Sequence, residues 1–350
     1  MKGRLIALGE MRGRRAAALI KDGEMTDLLV EPPRDLPRPG AIYRAVADRP
    51  LKGQGGAILR LPGGRAYLRQ GKGISPGTPL LVQIAGYAEP GKAVPATTRL
   101  LFRSRHAIVT PGAPGINLSR SLTDEERRVA LREIAAEAGA QLPAGAGLIL
   151  RSAAETAADD AIADDVRAMA DLAAQVLADP GREPELLVEG PDPHETAWRD
   201  WPEPDTLDAA DGAFERHGLV ERVEALLHPH APLPSGAGLW IEPTRALVAV
   251  DVNTGPDTSL AAGLKANIAA ARALPAQLRC RGLGGQIALD LAPMPKKDRR
   301  GFEQILRASL RADPVETALA GWTPLGLFEL QRRRDRLPLS ACLPQPGGQP

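Results

Sequence analysis

Two aspartates in the last third of the chain stand near the ends of apolar segments. Asp251 follows the run RALVAV, with Asn253 two residues later, and Asp290 lies near the end of IALDL. A helical segment separates them, so both strand ends are expected at one edge of a parallel sheet. Strand periodicity places Asn253 on the same face as Asp251. The spacing allows two carboxylates and an amide to converge on one place.

This set of oxygen ligands suits Mg²⁺, a hard ion that proteins hold through one or two carboxylates while it keeps most of its waters. Such an ion activates water and stabilises charge on a phosphodiester during in-line displacement. The alternative is that each aspartate is a helix cap or turn former, the commoner role of aspartate in such positions. The spacing alone leaves both interpretations open.

Other patterns in the chain support different chemistry less well. The stretch 86–92, GYAEPGK, resembles a nucleotide-binding P-loop, but Ala93 stands where Ser or Thr is needed and Pro95 disfavours a following helix. His228 and His230 lack the usual spacing of metal ligands, and their Pro-rich surroundings are typical of an exposed loop.

Composition narrows the class of protein. The 350 residues suffice for two or three domains, and 43% hydrophobic with 25% charged residues is typical of a globular chain. No apolar stretch reaches the roughly 20 residues of a membrane span, and the N-terminus does not resemble a secretory signal. Cys280 and Cys342 do not form a disulfide framework, so we expect a cytoplasmic protein.

Basic residues are clustered although the net charge is only +1. Such clusters are usually solvated surface unless they surround a site, so they do not by themselves identify a nucleic-acid partner. The three groups are Arg99, Arg103 and Arg105; Lys296, Lys297, Arg299 and Arg300; and Arg332, Arg333, Arg334 and Arg336.

The elements that would position these residues follow from periodicity and turn signals. Short strands fill residues 1–32 and 42–101, the second set spaced like a small barrel. The motif TDEE at 123–126 is a capping box that opens a helix, and a second helix follows the strand GLILRSA. Residues 180–210, rich in Pro, Asp and Glu, are expected to form a mobile connection.

The last third is the most regular part of the sequence. GLWIEP and RALVAVDVN form an expected hairpin, followed by a helix over about 259–279 that Pro275 should kink or shorten. The strand GGQIALDL, a helix containing Phe302 and Leu306, and the strand GLFEL come next. This β-α-β-α-β order favours parallel pairing.

These residues resemble a known family. The segments LPSGAGLWIEPTRALVAVDVN, KANIAAARALPAQLRCRGLGGQIALDLAPM and GLFELQRRR, with the spacing from Asp251 to Asp290, resemble the catalytic region of the ribonuclease E/G family. Weaker similarity upstream covers most of the chain. GAIYRAVA through KAVPATTRL resembles the family's RNA-binding barrel, and GLILRSA resembles part of its pocket for a 5′-monophosphate.

The resemblance implies an α+β and α/β fold of several subdomains: an RNase H-like and DNase I-like catalytic region with an inserted OB-fold β-barrel. In this sequence 1–38 and 181–226 would form the RNase H-like subdomain and its connection. The remaining implied ranges are 39–101 for the barrel, 102–180 for the 5′-end sensor, 227–340 for the DNase I-like subdomain and 341–350 for a tail.

The resemblance also assigns roles to individual residues. Asp251 and Asp290 take the place of the Mg²⁺ ligands, and Asn253 that of an asparagine supporting the metal or the scissile phosphate. Arg151 and Ser152 match a pair that grips the terminal phosphate. The implied RNA contacts are Lys92, Tyr67, Arg120, Lys296 and Lys297. For Tyr67, a place in the barrel core is the open alternative to stacking on a base.

Departures from the family pattern qualify these expectations. A shared zinc needs two cysteines from each chain, but the corresponding text is Cys342-Leu-Pro-Gln345, so we expect no structural zinc and no zinc-linked dimer. Pro324 replaces an expected sensor arginine, and Ile58 stands where the barrel has a second aromatic. We therefore expect weak base stacking and poor discrimination of 5′-monophosphorylated ends, with a monomer or another dimer as the assembly.

The expected function is an Mg²⁺-dependent endoribonuclease that cleaves single-stranded RNA in processing or decay. Attack by a metal-activated water would leave 5′-phosphate and 3′-hydroxyl ends, as the family does. The basic residues near Lys296 and Arg332 would hold the RNA backbone. The alternative is an RNA-binding member of the same family whose catalysis is weak or lost.

Overall fold

The computed structural model describes residues 2–51, 55–89, 91–257 and 259–343. Its strands are, in chain order, β1 (Arg4–Met11), β2 (Arg14–Lys21), β3 (Glu24–Val30), β4 (Ile42–Leu51), β5 (Gly56–Leu61), β6 (Gly64–Leu68), β7 (Pro79–Ile84), β8 (Val94–Thr97), β9 (Phe102–Arg103), β10 (Ala107–Thr110), β11 (Gly115–Leu118), β12 (Gly147–Leu150), β13 (Glu185–Val188), β14 (Thr206–Asp208), β15 (His230–Pro232), β16 (Gly238–Pro243), β17 (Val248–Asn253), β18 (Gly285–Asp290), β19 (Thr317–Trp322) and β20 (Phe328–Arg332).

The α-helices are, in chain order, α1 (Glu125–Ala138), α2 (Asp159–Leu177), α3 (Pro193–Asp200), α4 (Ala213–Arg216), α5 (Leu219–Leu226), α6 (Leu260–Cys280), α7 (Arg299–Arg311) and α8 (Leu339–Cys342). None of the described helices has the length and apolar composition needed to cross a membrane. The chain divides into one compact unit of residues 34–203 and another of residues 1–33 and 204–350. The subdomain boundaries implied by the resemblance stay a prediction.

The unit of residues 34–203 contains a closed barrel, which confirms the expectation of a barrel over 42–101. Strands β4, β5, β6, β8 and β7 pair in that order, and β4 pairs back with β7 to close the sheet. Five strands closed in this way fit an OB-like fold. The alternating inward residues of these strands, among them Leu59, Leu68 and Val82, form the barrel's own core.

A second sheet in the same unit has the order β11-β12-β10-β9, and α1 and α2 share its hydrophobic core. The cap of α1 differs from the prediction: the side chain of Asp124, not Thr123, accepts the hydrogen bond from the Arg127 amide. Asp is at least as favourable an N-cap as Thr, so the helix begins one residue later than the TDEE motif predicts.

The acidic, Pro-rich stretch 180–210 is ordered, and the prediction of a mobile connection is wrong. It contains β13, α3 and β14. A capping box closes the start of α3, because Asp192 accepts from the Glu195 amide and the Glu195 side chain accepts from the Asp192 amide. Proline at the first helical position and an acidic first turn favour a helix there, so the same composition that indicated a linker also encodes a helix start.

In the unit of residues 1–33 and 204–350, the predicted N-terminal meander forms a sheet of order β14-β1-β2-β3. The last third forms a second sheet of order β15-β16-β17-β18-β20-β19. Strands β16 and β17 are the predicted hairpin, and β17, α6 and β18 are the predicted β-α-β unit with parallel strands. Helices α6 and α7 cover one face of this sheet with a core that includes Leu274, Leu306 and Val250.

Two features of this region differ from expectation: the parallel pairing predicted for the last strand is wrong, and Pro275 does not shorten the helix that contains it. Strand β20 runs antiparallel to β18, because β19, which the sequence did not reveal, returns the chain and pairs with β20 as a hairpin. Helix α6 continues through Pro275 to Cys280. Its packing on the sheet outweighs the roughly 3 kcal/mol that an interior proline costs, since Leu274 and Leu278 are buried on both sides of it.

Candidate active site

Asp251 and Asp290 are direct neighbours in the parallel pair formed by β17 and β18. Residues that pair in register share one face of the sheet, so the two carboxylates project from the same surface. Val250 and Leu289, which directly precede the two aspartates, lie on the opposite face of the sheet and are buried against the helices. Both aspartates are therefore exposed on the face that the helices do not cover.

Asn253 lies on the same face of β17, and its amide Nδ2 donates a hydrogen bond of 2.5 Å to Oδ2 of Asp251. This bond orients the Asp251 carboxylate and leaves the Asn253 amide oxygen as a further acceptor. The two carboxylates and the amide fit Mg²⁺, which binds through one or two carboxylates and otherwise through water. Among the described residues no group of three or more His, Cys, Asp or Glu is placed to hold a metal.

The backbone that carries Asp290 is fixed by a buried asparagine of α6. Asn267, fully buried, donates to the Ala292 carbonyl at 2.8 Å and accepts from the Ala292 amide at 3.0 Å. One turn earlier in the helix, a Cβ at Gly263 would lie 2.1 Å from the Pro293 carbonyl oxygen, so only glycine allows this close approach. These two contacts tie the segment after β18 to α6. Neither Asn267 nor Gly263 has a local sequence pattern that predicts this role.

Two aromatic residues lie beside Asp251 and Asp290 in the same line of register-paired residues across the sheet. Trp240 of β16 pairs in register with Asp251, and His230 of β15 pairs with Trp240. Their ring centroids are 5.1 Å apart, with the planes tilted by 49°. Both side chains are exposed. His230 thus lies in a strand, not in the expected loop, and Trp240 was missed although its outward place in GLWIEP follows from strand alternation.

The predicted RNA-contacting lysines follow β18 closely. Lys296 and Lys297 are exposed in a short 3-10 helix directly before α7. Arg299, the first residue of α7, lies over the Trp322 ring with its guanidinium carbon 4.1 Å from the ring centroid. The two lysines are therefore exposed cations of this basic cluster, as is Arg300, whereas Arg299 has a packing role.

The expectation that residues near Arg332 hold RNA is wrong for Arg332 and Arg336. Arg332 is 1% exposed and pairs with the fully buried carboxylate of Asp313 at 3.3 Å, and Arg279 pairs with the same carboxylate at 2.6 Å. Arg336 forms an ion pair with Asp27, which is itself buried. Burial lowers the pKa of Arg332, partly offset by Asp313. Arg332 is therefore inaccessible to a ligand, and the donors of the partly exposed Arg336 are taken up by Asp27 and by the Leu28 and Arg279 carbonyls.

On the barrel, Tyr67 lies on the outer face of β6 and is outside the barrel's buried core. Its ring covers Gly56, where a Cβ would lie 2.6 Å from a ring carbon, and its register partner is Ile58. The same face carries Arg60 and Arg65, which are register partners and both exposed. Strand alternation in β5 and β6 places both arginines beside Tyr67, although neither was among the predicted RNA contacts.

Lys92, further along the barrel, is exposed and pairs with Glu89 at 2.7 Å. A strand, β8, follows it instead of a helix, and Pro90 in this P-loop-like stretch lies outside the described residues. A surface pair of this kind contributes at most about 1 kcal/mol, so Lys92 can exchange Glu89 for another anion at little cost.

The two predicted sensor residues differ in their accessibility. Arg151 donates to the Ser104 carbonyl at 2.6 Å, the Arg199 carbonyl at 3.0 Å and the Asp200 carboxylate at 2.7 Å. Ser152 is exposed at the start of a 3-10 helix. The Arg151 side chain is thus largely occupied by contacts within the protein. Arg120, in the connection between β11 and α1, is exposed.

The Arg151 partner Asp200 is held as a carboxylate. Burial alone would raise the pKa of Asp200, but the hydrogen bond and charge of Arg199 outweigh burial, and the charges of Arg103 and Arg151 add to this, so its pKa is lowered. The ion pair of Arg151 therefore persists at neutral pH.

Pro324 and Cys342 stand where the chain departs from the family's sensor and zinc motifs. Pro324 lies in the exposed turn between β19 and β20. Cys342 is buried, and burial raises the pKa of its thiol to about 11. Gln345 lies outside the described residues.

The sheets, the helices and the closed barrel make this an α+β protein. The paired Asp251 and Asp290 form its candidate metal site. The family model described as the ribonuclease E/G family matches residues 102–210 and 205–335. The chain belongs to the ribonuclease E/G family.

Relatives in this family are moderately similar. The chain is 31% identical to ribonuclease E of Nostoc sp. over 304 residues, which are 75% of this chain and 44% of that protein. It is 29% identical to ribonuclease E of Synechocystis sp. over 314 residues (78% and 46%), and 27% identical to ribonuclease G of Salmonella typhimurium over 304 residues (75% and 61%). The chain spans about half the length of the curated relatives it matches.

Proposed function

We propose that this chain is an Mg²⁺-dependent endoribonuclease that cleaves single-stranded RNA and leaves 5′-phosphate and 3′-hydroxyl ends. The observation that carries the proposal is the register of Asp251 with Asp290 on the open face of the sheet. Membership of a family whose relatives are named ribonucleases E and G supports RNA as the substrate.

The roles of the chain's own residues follow from their chemistry. Asp251 and Asp290 would hold the ion, and Asn253 would orient Asp251 through its amide N–H, which leaves the amide oxygen as a further acceptor. When bound, Mg²⁺ supplies positive charge that activates water and stabilises the phosphate during in-line attack. A water molecule would attack the phosphorus as the P–O3′ bond breaks, and the proton that this water loses would be balanced by a proton on the leaving 3′-oxygen, which gives 5′-phosphate and 3′-hydroxyl ends.

Two exposed basic groups suit the binding of the RNA backbone. Lys296 and Lys297 follow Asp290 within the same unit, and Arg60 and Arg65 flank Tyr67 on the barrel. Exposed cations bind phosphates without sequence preference, and an aromatic ring beside them adds sequence-tolerant stacking. This combination favours loosely specific, salt-sensitive binding of single strands.

The decisive experiment is a gel assay of an end-labelled single-stranded RNA with Mg²⁺, with and without EDTA. Asp251→Asn and Asp290→Asn should each reduce cleavage by at least a hundredfold, since a lost metal ligand removes a charge acting at the reacting phosphate. The matched control is Glu316→Gln. It neutralises an exposed carboxylate that is not a candidate metal ligand, so this variant should cleave like the parent.

The same assay separates the proposal from the alternative of a binding protein with weak or lost catalysis. Retention of RNA on filters by the parent and both Asp variants, without turnover by the parent, would establish the binding function and refute the nuclease. Cleavage that continues in EDTA would refute the metal dependence.

A further inference from the structure

Four side chains form one row across neighbouring strands of the last sheet. His230, Trp240, Asp251 and Asp290 pair successively in register through β15, β16, β17 and β18. Register neighbours have Cβ atoms about 5 Å apart, so each side chain borders the next. The row therefore places an aromatic ring directly beside the candidate metal ligands.

Trp240 is not part of the hydrophobic core. It is 42% exposed, whereas its strand neighbours Leu239 and Ile241 are buried against the helices. Its indole borders His230 on one side, with ring centroids 5.1 Å apart, and Asp251 on the other. An exposed tryptophan can be incidental, but this one lies in register with a candidate catalytic residue, and a neighbouring ring limits its motion.

We propose that Trp240 stacks on a nucleobase next to the phosphate held at Asp251 and Asp290, with His230 as a positioning residue for the indole. The proposal rests on the proposed function, because it identifies how the same site grips its single-stranded substrate. The ligand is a base of RNA, since the adjacent carboxylates act on the phosphodiester to which that base's nucleotide belongs.

The chemistry of the row supports this assignment. An indole presents a wide π-face on which any base can stack, so the contact tolerates all sequences. The barrel has Ile58 opposite Tyr67, which leaves a single aromatic on that face of the two strands. Trp240 supplies a stacking surface at the carboxylates themselves, where a fixed base would hold the adjoining phosphate for in-line attack.

His230 holds the indole through packing. Its ring covers Gly238, where a Cβ would lie 2.6 Å from Nε2, and Gly238 is the register partner of Asn253. The glycine therefore leaves the space in which the His230 ring rests against Trp240. A phenylalanine at position 230 would preserve this contact, whereas an alanine would free the indole.

The test measures binding in EDTA, so that it does not depend on cleavage. A series of single-stranded RNAs carries one abasic ribose, moved one nucleotide at a time, and Kd is measured for the parent, Trp240→Ala and Trp240→Phe. For the parent, one abasic position should weaken binding by about fivefold or more. Trp240→Ala should bind intact RNA as weakly as the parent binds the RNA that is abasic at this position. In this variant an abasic ribose at this position should cause no further loss of affinity, whereas in Trp240→Phe it should still cause a smaller loss.

Three controls accompany the series. Gln286→Ala removes an exposed side chain on the same face of β18, four residues before Asp290, and should leave every Kd unchanged. A thermal melt of Trp240→Ala should keep a single cooperative transition close to that of the parent, since the side chain is outside the core and loses only its contact with His230. In RNA with 2-aminopurine at the sensitive position, His230→Ala should weaken the fluorescence quenching of the bound base, and His230→Phe should restore it.

The outcomes distinguish this proposal from the proposed function. An unchanged Kd in Trp240→Ala, or an equal loss at every abasic position, overturns the stacking assignment even if the protein cleaves RNA. A position-specific loss in a protein that does not cleave RNA with Mg²⁺ supports the stacking and refutes the nuclease. In the parent with Mg²⁺, the sensitive base should adjoin the cleaved bond, and a distant position would contradict the assignment.

Discussion

Arg151 and Asp200 form an ion pair of 2.7 Å, and two main-chain carbonyls accept from the same guanidinium. An arginine so occupied has few donors left for a ligand. A terminal phosphate would have to compete with a carboxylate whose pKa is lowered by the surrounding arginines. The pair therefore favours a structural role for Arg151 over recognition of the 5′ end.

We expect the protein to cleave 5′-monophosphate and 5′-hydroxyl versions of one RNA at rates within about fivefold, since the loss of a single neutral hydrogen bond costs about 1 kcal/mol. Parallel time courses with the two labelled substrates measure the ratio. Arg151→Ala should lower the midpoint of thermal unfolding and leave this ratio unchanged. A tenfold preference for the monophosphate that disappears in Arg151→Ala would establish a working sensor.

If Asp251 and Asp290 bind Mg²⁺, Asp290→Asn should raise stability in the absence of the ion and remove the stabilisation that the ion gives to the parent. Because Asp251 and Asp290 are adjacent like charges, Asp290→Asn should stabilise the metal-free protein by about 0.2–1 kcal/mol. Binding of Mg²⁺ to the folded state should raise the melting temperature of the parent and not that of the variant. Thermal melts in EDTA and in a Mg²⁺ series measure both effects, with Glu316→Gln as control. An equal Mg²⁺-induced shift in Asp290→Asn would exclude Asp290 as a ligand.

Much of this site could be predicted from local sequence. Alternation in RALVAVDVN and IALDL fixes which residues face outward, and a helix between two strands makes them parallel, so Asp251 and Asp290 were paired correctly. The row as a whole could not be predicted, because the register of His230 with Trp240 depends on the geometry of the connection between β15 and β16. Strand β19 was missed since TALAGW is rich in small residues that carry little strand signal.

Ion-pair partners distant in sequence account for the misjudged arginines. Arg336 meets Asp27 across 309 residues, and no local pattern reveals such a partner. A run of arginines looks like a basic surface unless the buried carboxylates that face it are known. The same limit applies to Asn267, whose role depends on the backbone of a segment 25 residues away.

The buried pair of Arg332 with Asp313 predicts a large loss of stability on truncation. Asp313→Ala leaves Arg332 and Arg279 without their shared carboxylate in the interior, which should cost about 3–5 kcal/mol. Urea unfolding followed by circular dichroism measures the change. Asp335→Ala is the control, because its pair with Arg333 is exposed and contributes about 0–1 kcal/mol. Equal losses in the two variants would contradict the structural role of Asp313.

Asp208 predicts an acid-dependent contribution to stability. Its hydrogen bond to Arg216, with further bonds to the Ala210 amide and His217, lowers the pKa of Asp208 to about 2 despite partial burial. A lowered folded-state pKa stabilises the protein above the unfolded value of about 3.9 and ceases to do so as pH falls to about 2. Melting temperatures of the parent and Asp208→Asn should thus differ at pH 6 and converge towards pH 2. A constant difference would show that the charge is not responsible.

If the barrel arginines Arg60 and Arg65 bind RNA, replacing one of them should weaken RNA binding without lowering the stability of the protein. Two like charges in direct register destabilise a sheet slightly, so Arg65→Ala should leave stability unchanged or raise it by a few tenths of a kcal/mol. If Arg65 contacts a phosphate, its loss should weaken RNA binding and reduce the slope of log K against log salt by about 0.7. Filter binding at several salt concentrations measures the slope, and Arg167→Ala, an exposed arginine of α2 paired with Asp164, should leave it unchanged. An unaltered slope in Arg65→Ala would remove this face of the barrel from the RNA-binding surface.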